Sequence, residues 1–145
     1  MEITNYRFEY LNACLSIFDS NKPRYFHEDE RPVFVNFLNN SPNELYFVLK
    51  IENRIVACGG IYEDDIDIAG LSWGMVHRDF HHKGIGSFFT RYRIEKLKEI
   101  FPEHRYKIET SQHTFKFYLK MGFEMSHQVK DGFGLGLDKI VMWLK

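Results

Sequence analysis

Two stretches of this sequence carry residue types at spacings that can do chemistry. The first is His81-His82-Lys83-Gly84-Ile85-Gly86, a basic, glycine-containing turn. It lies between the apolar run Leu71 to Val76 and a run with helical spacing. Such a turn gathers unpaired backbone N–H groups and the positive end of a helix dipole at one spot, where an anion can bind. Gly84 and Gly86 have no Cβ, so a phosphate can approach the main chain closely, and Lys83 adds a point charge. The spacing is not that of a Walker loop, and Phe89 occupies the third glycine place of a Rossmann fingerprint. A helix capped by a glycine turn, with a solvated lysine, is the plainer account of the same residues. The second stretch is Phe115-Lys116-Phe117-Tyr118-Leu119-Lys120-Met121-Gly122-Phe123, a short helical pattern that Gly122 closes as an αL cap.

Elements must hold these two stretches in place. Leu71 to Val76 is short, apolar and bounded by turn-formers, as a buried strand is. After the turn, Ile85, Phe88, Phe89, Tyr92, Leu97 and Ile100 fall within about half the circumference of a helix, with Ile94 and Phe101 outside that arc. This central helix is expected from Lys83 to Phe101, with Pro102 ending it. Residues 2–6 read as a first strand. Phe8, Leu11, Leu15 and Phe18 make a helical stripe, and a second helix is expected from Glu28 to Leu38, stopped by Asn39-Asn40-Ser41-Pro42. Strands follow over Leu45–Ile51 and Ile55–Tyr62, the latter with Gly59-Gly60 marking a bulge or a close approach. Glu63-Asp64-Asp65 then turns the chain into the strand ending at Val76. Tyr106 to Ser111 alternates as a strand, with Glu109 and Ser111 on one face and Ile108 and Thr110 on the other. A helix over 113–121 and a last antiparallel pair, 123–130 with 138–145, complete the chain, the pair joined by the loop Asp131 to Gly136. The order β-α-α-β-β-β-α-β-α-β-β predicts an α/β or α+β fold: a mixed, mostly antiparallel central sheet flanked by about four helices.

At 145 residues the chain is expected to form one domain, residues 1–145. Lys plus Arg (19) nearly balance Asp plus Glu (20), which argues against a nucleic-acid partner. No apolar run approaches the ~20 residues needed to span a membrane, and the N-terminus has no signal-peptide pattern. A cytoplasmic location is the default expectation. The two cysteines, Cys14 and Cys58, make neither a disulfide framework nor a metal spacing. His77 with His81 or His82 is a potential pair of metal ligands, but no third ligand has sensible spacing, so no metal is expected.

Taken together, the two stretches resemble the coenzyme A-binding core of the GNAT acyltransferase superfamily. The turn is similar to that family's Gln/Arg-x-x-Gly-x-Gly/Ala pattern, with His81 in the Gln/Arg place. The later stretch is similar to its Phe-Tyr-x-x-x-Gly-Phe segment without a gap. The resemblance is firm over residues 71–123, and the flanks agree in element order. Ser111 stands where many members have an asparagine, and Arg78 where they often have proline.

The resemblance implies acetyl-CoA as co-substrate. Gly74, Met75 and Val76 would hydrogen-bond the pantetheine arm and acetyl group. His82, Lys83, Gly84, Ile85, Gly86 and Ser87 would supply amides to the pyrophosphate, with His81 capping the turn and Ser111 contacting the arm. Tyr118 would protonate the leaving thiolate, because a phenol with pKa ~10 is protonated at neutral pH. Phe117 is expected to fill the core-facing slot, leaving Tyr118 to point elsewhere. Glu109, in phase with Ser111, is the best candidate for a general base, directly or through water, and a solvated strand carboxylate is its plainer reading.

The function implied is transfer of an acetyl group to a primary amine by direct attack in a ternary complex. Two other readings stay open: a GNAT-fold module that binds a CoA ester without turnover, and acetylation of a protein or peptide amine. Another acyl donor is a weaker third. The family's acceptor site is walled by the connection between the first two helices and by the loop joining the last two strands. Here these are Asn21 to His27 with Glu28, Asp29 and Glu30, and Asp131 to Gly134. Tyr25, Phe26 and Phe133 with nearby carboxylates suit a small cationic amine. Lys22 and Arg24 pull the other way, toward an acceptor carboxylate. A homodimer is left open.

Overall fold

The computed structural model describes residues 1–40 and 43–145. Among these residues seven strands form one sheet: β1 (Glu2–Asn5), β2 (Tyr46–Ile51), β3 (Arg54–Asp65), β4 (Ile68–Val76), β5 (Arg105–Thr110), β6 (Phe123–Gly134) and β7 (Leu137–Leu144). Their spatial order is β1-β2-β3-β4-β5-β7-β6. Every neighbouring pair is antiparallel except β4 with β5, which is parallel. Among the described residues the α-helices are α1 (Leu11–Ser20), α2 (Arg31–Asn40), α3 (Ile85–Ile100) and α4 (Phe115–Lys120). The expected fold class and element order are both found.

The two faces of the sheet carry separate cores. Helices α3 and α4 pack with Leu49, Val56, Ile61, Leu71, Ile108, Ile140 and Met142 on one face. Helices α1 and α2 cover Tyr46, Val48, Cys58 and Met75 on the other. Alternation along the strands produces this division, since neighbouring side chains leave a strand on opposite faces.

Several boundaries differ from expectation. Phe8 opens a short 3-10 turn and is exposed, so the buried line of α1 is Cys14, Ile17 and Phe18. Helix α2 is likewise led in by a 3-10 turn at Glu28–Glu30, which His27 and Glu30 close as a capping box. Its expected stop falls partly on residues 41–42, outside the described residues. Glu52 and Asn53 both have positive φ, as the tight turn between β2 and β3 requires. Glu63-Asp64-Asp65 is not a turn: β3 runs through it, and the chain reverses at Ile66-Asp67. The loop expected over Asp131–Gly136 is mostly strand. Asp138 accepts the Asp131 N–H at 2.9 Å, Asp131 accepts the Gly136 N–H at 2.7 Å, and β6 continues to Gly134.

The largest difference concerns α3. Its buried residues are Ile85, Phe89, Thr90, Arg93, Ile94 and Leu97, whereas Phe88 and Ile100 are each 42% exposed. The inward face is therefore rotated from the expected arc. It takes in Ile94 and, more consequentially, a charged residue.

Candidate active site

Strands β4 and β5 pair only over Ile68↔Arg105, Ala69↔Tyr106 and Gly70↔Lys107. Beyond Gly70 they part, and a cleft of about 790 Å³ opens between them. A bulge lies in the freed part of β4. Ser72 pairs with Gly60 and Met75 with Cys58, so Trp73 and Gly74 together stand against Gly59, and Trp73 takes φ +44°. Side chains satisfy carbonyls that a neighbouring strand would otherwise have taken. Arg93 donates to the Ser72 carbonyl at 3.0 Å, and the Tyr46 hydroxyl donates to that of Trp73 at 2.8 Å. Asn21 Nδ2 (2.9 Å) and His81 Nε2 (2.8 Å) both reach the Val76 carbonyl, which fixes the proton of His81 on Nε2.

The basic turn lies at the mouth of this splay. Gly84 is the N-cap of α3 at φ +80°, a conformation natural to glycine, and no side chain caps the helix there. A Cβ at Gly84 would meet nothing within 4 Å. The first intrahelical bond here runs from the Phe88 N–H to the Gly84 carbonyl. The amides of Ile85, Gly86 and Ser87 therefore form the uncapped first turn of a 16-residue helix. Gly74, Met75, Val76, His81, His82, Gly84, Gly86, Ser87, Glu109, Ser111 and Tyr118, all expected at the site, line the one cleft. Lys83 and Ile85 do not: the Lys83 side chain is exposed, and Ile85 is buried in the core beneath the helix start.

Tyr118 corrects an expectation. It is 8% exposed and packs edge-to-face on Phe117 and Phe123 within the core cluster, yet its ring also borders the cleft. Phe117 is the half-buried one, with its ring beside Gly86. Burial pushes the Tyr118 phenol above its ordinary pKa, and the positive charge of the nearby Arg93 guanidinium opposes that shift. Ser111 is buried and accepts the His113 N–H at 3.2 Å. Glu109 is exposed at the cleft, with Lys107 Nζ at 3.7 Å from its carboxylate.

The opposite end of the cleft is walled by rings. Trp73 lies 4.9 Å from Phe34, 6.1 Å from Phe37 and 6.4 Å from Phe26, centroid to centroid. Phe26, Phe37 and Phe133 border the space, and Tyr25 borders the cleft nearer the basic turn, with its ring 5.5 Å from that of His81. The two expected walls touch, since a Cβ at Gly134 would overlap His27. Of the three acids only Glu30 lines the cleft. It accepts the His27 N–H at 2.9 Å, and burial raises its carboxyl above the usual range. Lys22 is engaged elsewhere, with Asp19 at 3.2 Å and Glu28 at 2.8 Å.

A family model described as "Acetyltransferase (GNAT) domain" matches residues 42–125, more than half of the chain. The chain belongs to the GNAT acetyltransferases. Solved structures agree on the fold across almost its whole length. The ribosomal-protein-S18-alanine N-acetyltransferase of Escherichia coli superposes with a TM-score of 0.79 at 18% identity, covering 99% of this chain and 92% of that one. A ribosomal-protein-alanine N-acetyltransferase from Brucella melitensis gives 0.75 at 18%, covering 99% and 98%. An aminoglycoside 6'-N-acetyltransferase complexed with coenzyme A gives 0.76 at 15%, covering 99% and 96%. No curated protein sequence matches the chain.

Within this GNAT domain, three residues shape the cleft in ways that sequence reasoning did not foresee. Asn21 spans 55 positions to reach Val76, and nothing local announces such a contact. Trp73 forms the floor of the aromatic wall only because the bulge turns it there. Arg93 had a signal: it falls four residues after Phe89 and four before Leu97, in line with the buried stripe. Its charge hid it from a reading based on apolar spacing.

Proposed function

We propose that this protein is an acetyl-CoA-dependent N-acetyltransferase that acetylates the primary amine of a small soluble molecule by direct attack in a ternary complex. The observation that carries the reading is one continuous cleft with an uncapped helix N-terminus at one end and an aromatic wall bearing Glu30 at the other. Tyr118 and the splayed strand lie between them.

The residues present fit the coenzyme. The amides of Ile85, Gly86 and Ser87 suit a pyrophosphate, and the open space over Gly84 leaves room for it. The main chain of Gly74 and Met75 lies in the part of β4 that has parted from β5, where it can bind an amide-rich arm and polarise a carbonyl. Bound there, acetyl-CoA supplies an acetyl group already activated as a thioester. Tyr118, like any phenol, is protonated at neutral pH, and burial holds it further in that form, so it can give its proton to the departing sulfur. Glu109, at the wet rim, takes a proton from the incoming ammonium directly or through water. Glu30 and the ring faces of Phe26, Trp73 and Phe133 hold the cationic acceptor. Lys22, already paired with two acids, does not favour an acceptor carboxylate.

Acetylation of a peptide amine is the second reading, motivated by the two ribosomal-protein-alanine acetyltransferases among the structural relatives. A thiol-release assay with acetyl-CoA over polyamines, amino acids, aminoglycosides and N-terminal peptides separates the two. Turnover of small amines is expected. Useful kcat/KM for the peptides alone would reject the small-amine reading. Tight acetyl-CoA binding without thiol release from any amine would point to a non-catalytic module.

A further inference from the structure

Arg93 has no part in the reaction as just described, yet the fold goes to some length to hold it. It is 1% exposed, in the middle of α3, where an apolar side chain would complete the core. Nε and Nη2 donate to the Gly60 carbonyl at 3.2 and 3.0 Å, and Nη2 also donates to that of Ser72 at 3.0 Å. The space for the guanidinium comes from two glycines. A Cβ on Gly59 would lie 2.8 Å from Cζ, and one on Gly74 would overlap Nη1. Among the described residues the titratable groups that act on this charge are Tyr118, Tyr46 and Cys58, and none of them is a carboxylate. An isolated buried cation is costly. This one lies under the bulge of β4, borders the cleft and stands beside Tyr118.

We infer that Arg93 is a positioning residue for acyl transfer: from beneath Gly74 it presents the positive charge against which Tyr118 releases its proton, while Tyr46 and Asn21 hold the carbonyls of Trp73 and Val76 on either side without it. The inference rests on the proposed role of Tyr118 as the acid. A merely structural arginine would hold the bulge and nothing more, and replacing it would disturb binding and stability without reaching the phenol. A cation acting on the phenol must also change how readily Tyr118 ionises.

The test begins with 3,5-difluorotyrosine placed at position 118 of the full chain and titrated by its phenolate absorbance, which needs no acceptor. Removing the neighbouring cation by Arg93→Met disfavours the phenolate, so the titration is expected to move up by about one pH unit. An unchanged or lowered midpoint overturns the inference. The second measurement is kcat with the amine that releases thiol fastest in the panel. Arg93→Met is expected to lower kcat about tenfold with acetyl-CoA affinity within twofold, and Arg93→Lys to recover part of the loss. In a Tyr118→Phe background Arg93→Met should cost nothing further, whereas independent, multiplying losses overturn the inference. If Tyr118→Phe alone leaves kcat intact, the acid assignment fails and takes this inference with it. If Tyr118→Phe is slow but Arg93→Met is not, only the inference fails. Should Arg93→Met not fold, Arg93→Gln, neutral but still able to donate to the two carbonyls, carries the same measurements.

Discussion

The proposed coenzyme end of the cleft and the proposed acceptor end are built from different parts of the chain. At the first, what faces the cleft is main chain: the uncapped amides after Gly84 and the stretch at Gly74 and Met75 that has no partner on the β5 side. At the second, it is side chains from distant segments: Phe26, Glu30, Trp73 and Phe133. Main-chain chemistry tolerates exchange of most side chains, because its donors come with the backbone. Side-chain chemistry changes with each substitution. The two ends should therefore break under different mutations, and Tyr118, between them, should affect neither binding event.

The largest effect is expected at the phosphate turn. Gly84→Asp meets no steric obstacle, since a Cβ there has nothing within 4 Å, although the positive φ adds some strain. Its charge would lie where the pyrophosphate is proposed to bind, and juxtaposed like charges cost several kcal/mol. Calorimetry should find acetyl-CoA binding weaker by about 100-fold or more. Gly84→Asn, of the same shape but neutral, should lose far less, and Lys83→Ala less still, since that side chain is exposed and away from the cleft. Equal losses for Asp and Asn would attribute the effect to strain rather than to an anion.

Tyr118→Phe comes next. It keeps the packing on Phe117 and Phe123 and removes only the hydroxyl. Coenzyme affinity should hold while kcat falls by about 100-fold, the usual worth of general acid catalysis, and by less if water substitutes. An unchanged kcat under conditions where chemistry limits turnover would take the residue out of the mechanism.

The contrast between the two ends also explains what was legible in the sequence. Gly84, Gly86 and the Phe117-Tyr118 pair are local features whose meaning depends on neighbours a few positions away. Fold class and element order were equally readable, because periodicity is local. The acceptor end depends on long-range contacts: Asn21 on Val76, His27 against Gly134, Lys22 drawn off by Glu28. The last hairpin illustrates the point. Asp131 to Gly136 has the composition of a loop, but Gln112 donates to the Gly136 carbonyl and accepts the Asp138 N–H. Together with Asp138 it draws the segment into strand. Arg93 was hidden for a different reason: its place on the helix was readable, but the two glycines that admit its head lie 34 and 19 positions before it in the chain.

Glu30→Gln sharpens the acceptor side. Glutamine keeps an oxygen for the His27 N–H and removes only the charge. A hydrogen bond to a charged group is worth about 1.5–3 kcal/mol, so KM for a cationic amine should rise about tenfold with acetyl-CoA affinity unchanged. The parent should show the same rise in KM on acidification. Because burial raises the Glu30 carboxyl, that rise should begin above the ~4.3 of an ordinary glutamate. A KM insensitive to both would remove Glu30 from acceptor recognition.

The smallest effect is expected at the other end of β3, where a change should leave both ends of the cleft alone. His104 Nε2 faces the Glu63 carboxylate at 2.8 Å and its Nδ1 faces the Pro102 carbonyl at 3.0 Å. Two acceptors need two N–H donors, so the imidazolium is the form that satisfies both, and the hydrogen bond to Glu63, with that to Pro102, raises the His104 pKa. For a histidine whose folded pKa is raised, the stabilisation is fully present below the unfolded value of ~6.5. It is lost as pH climbs through the folded one. The pair is largely solvent-screened and modest. His104→Gln should therefore lower Tm by about 1–2 °C at pH 6 and by nothing measurable at pH 9. Both KM values and kcat should match the parent throughout. A Tm difference that stayed constant or grew with pH would mean that the imidazolium is not what ties β3 to the turn after α3. A change in kcat would mean that the far end of the sheet communicates with the splay.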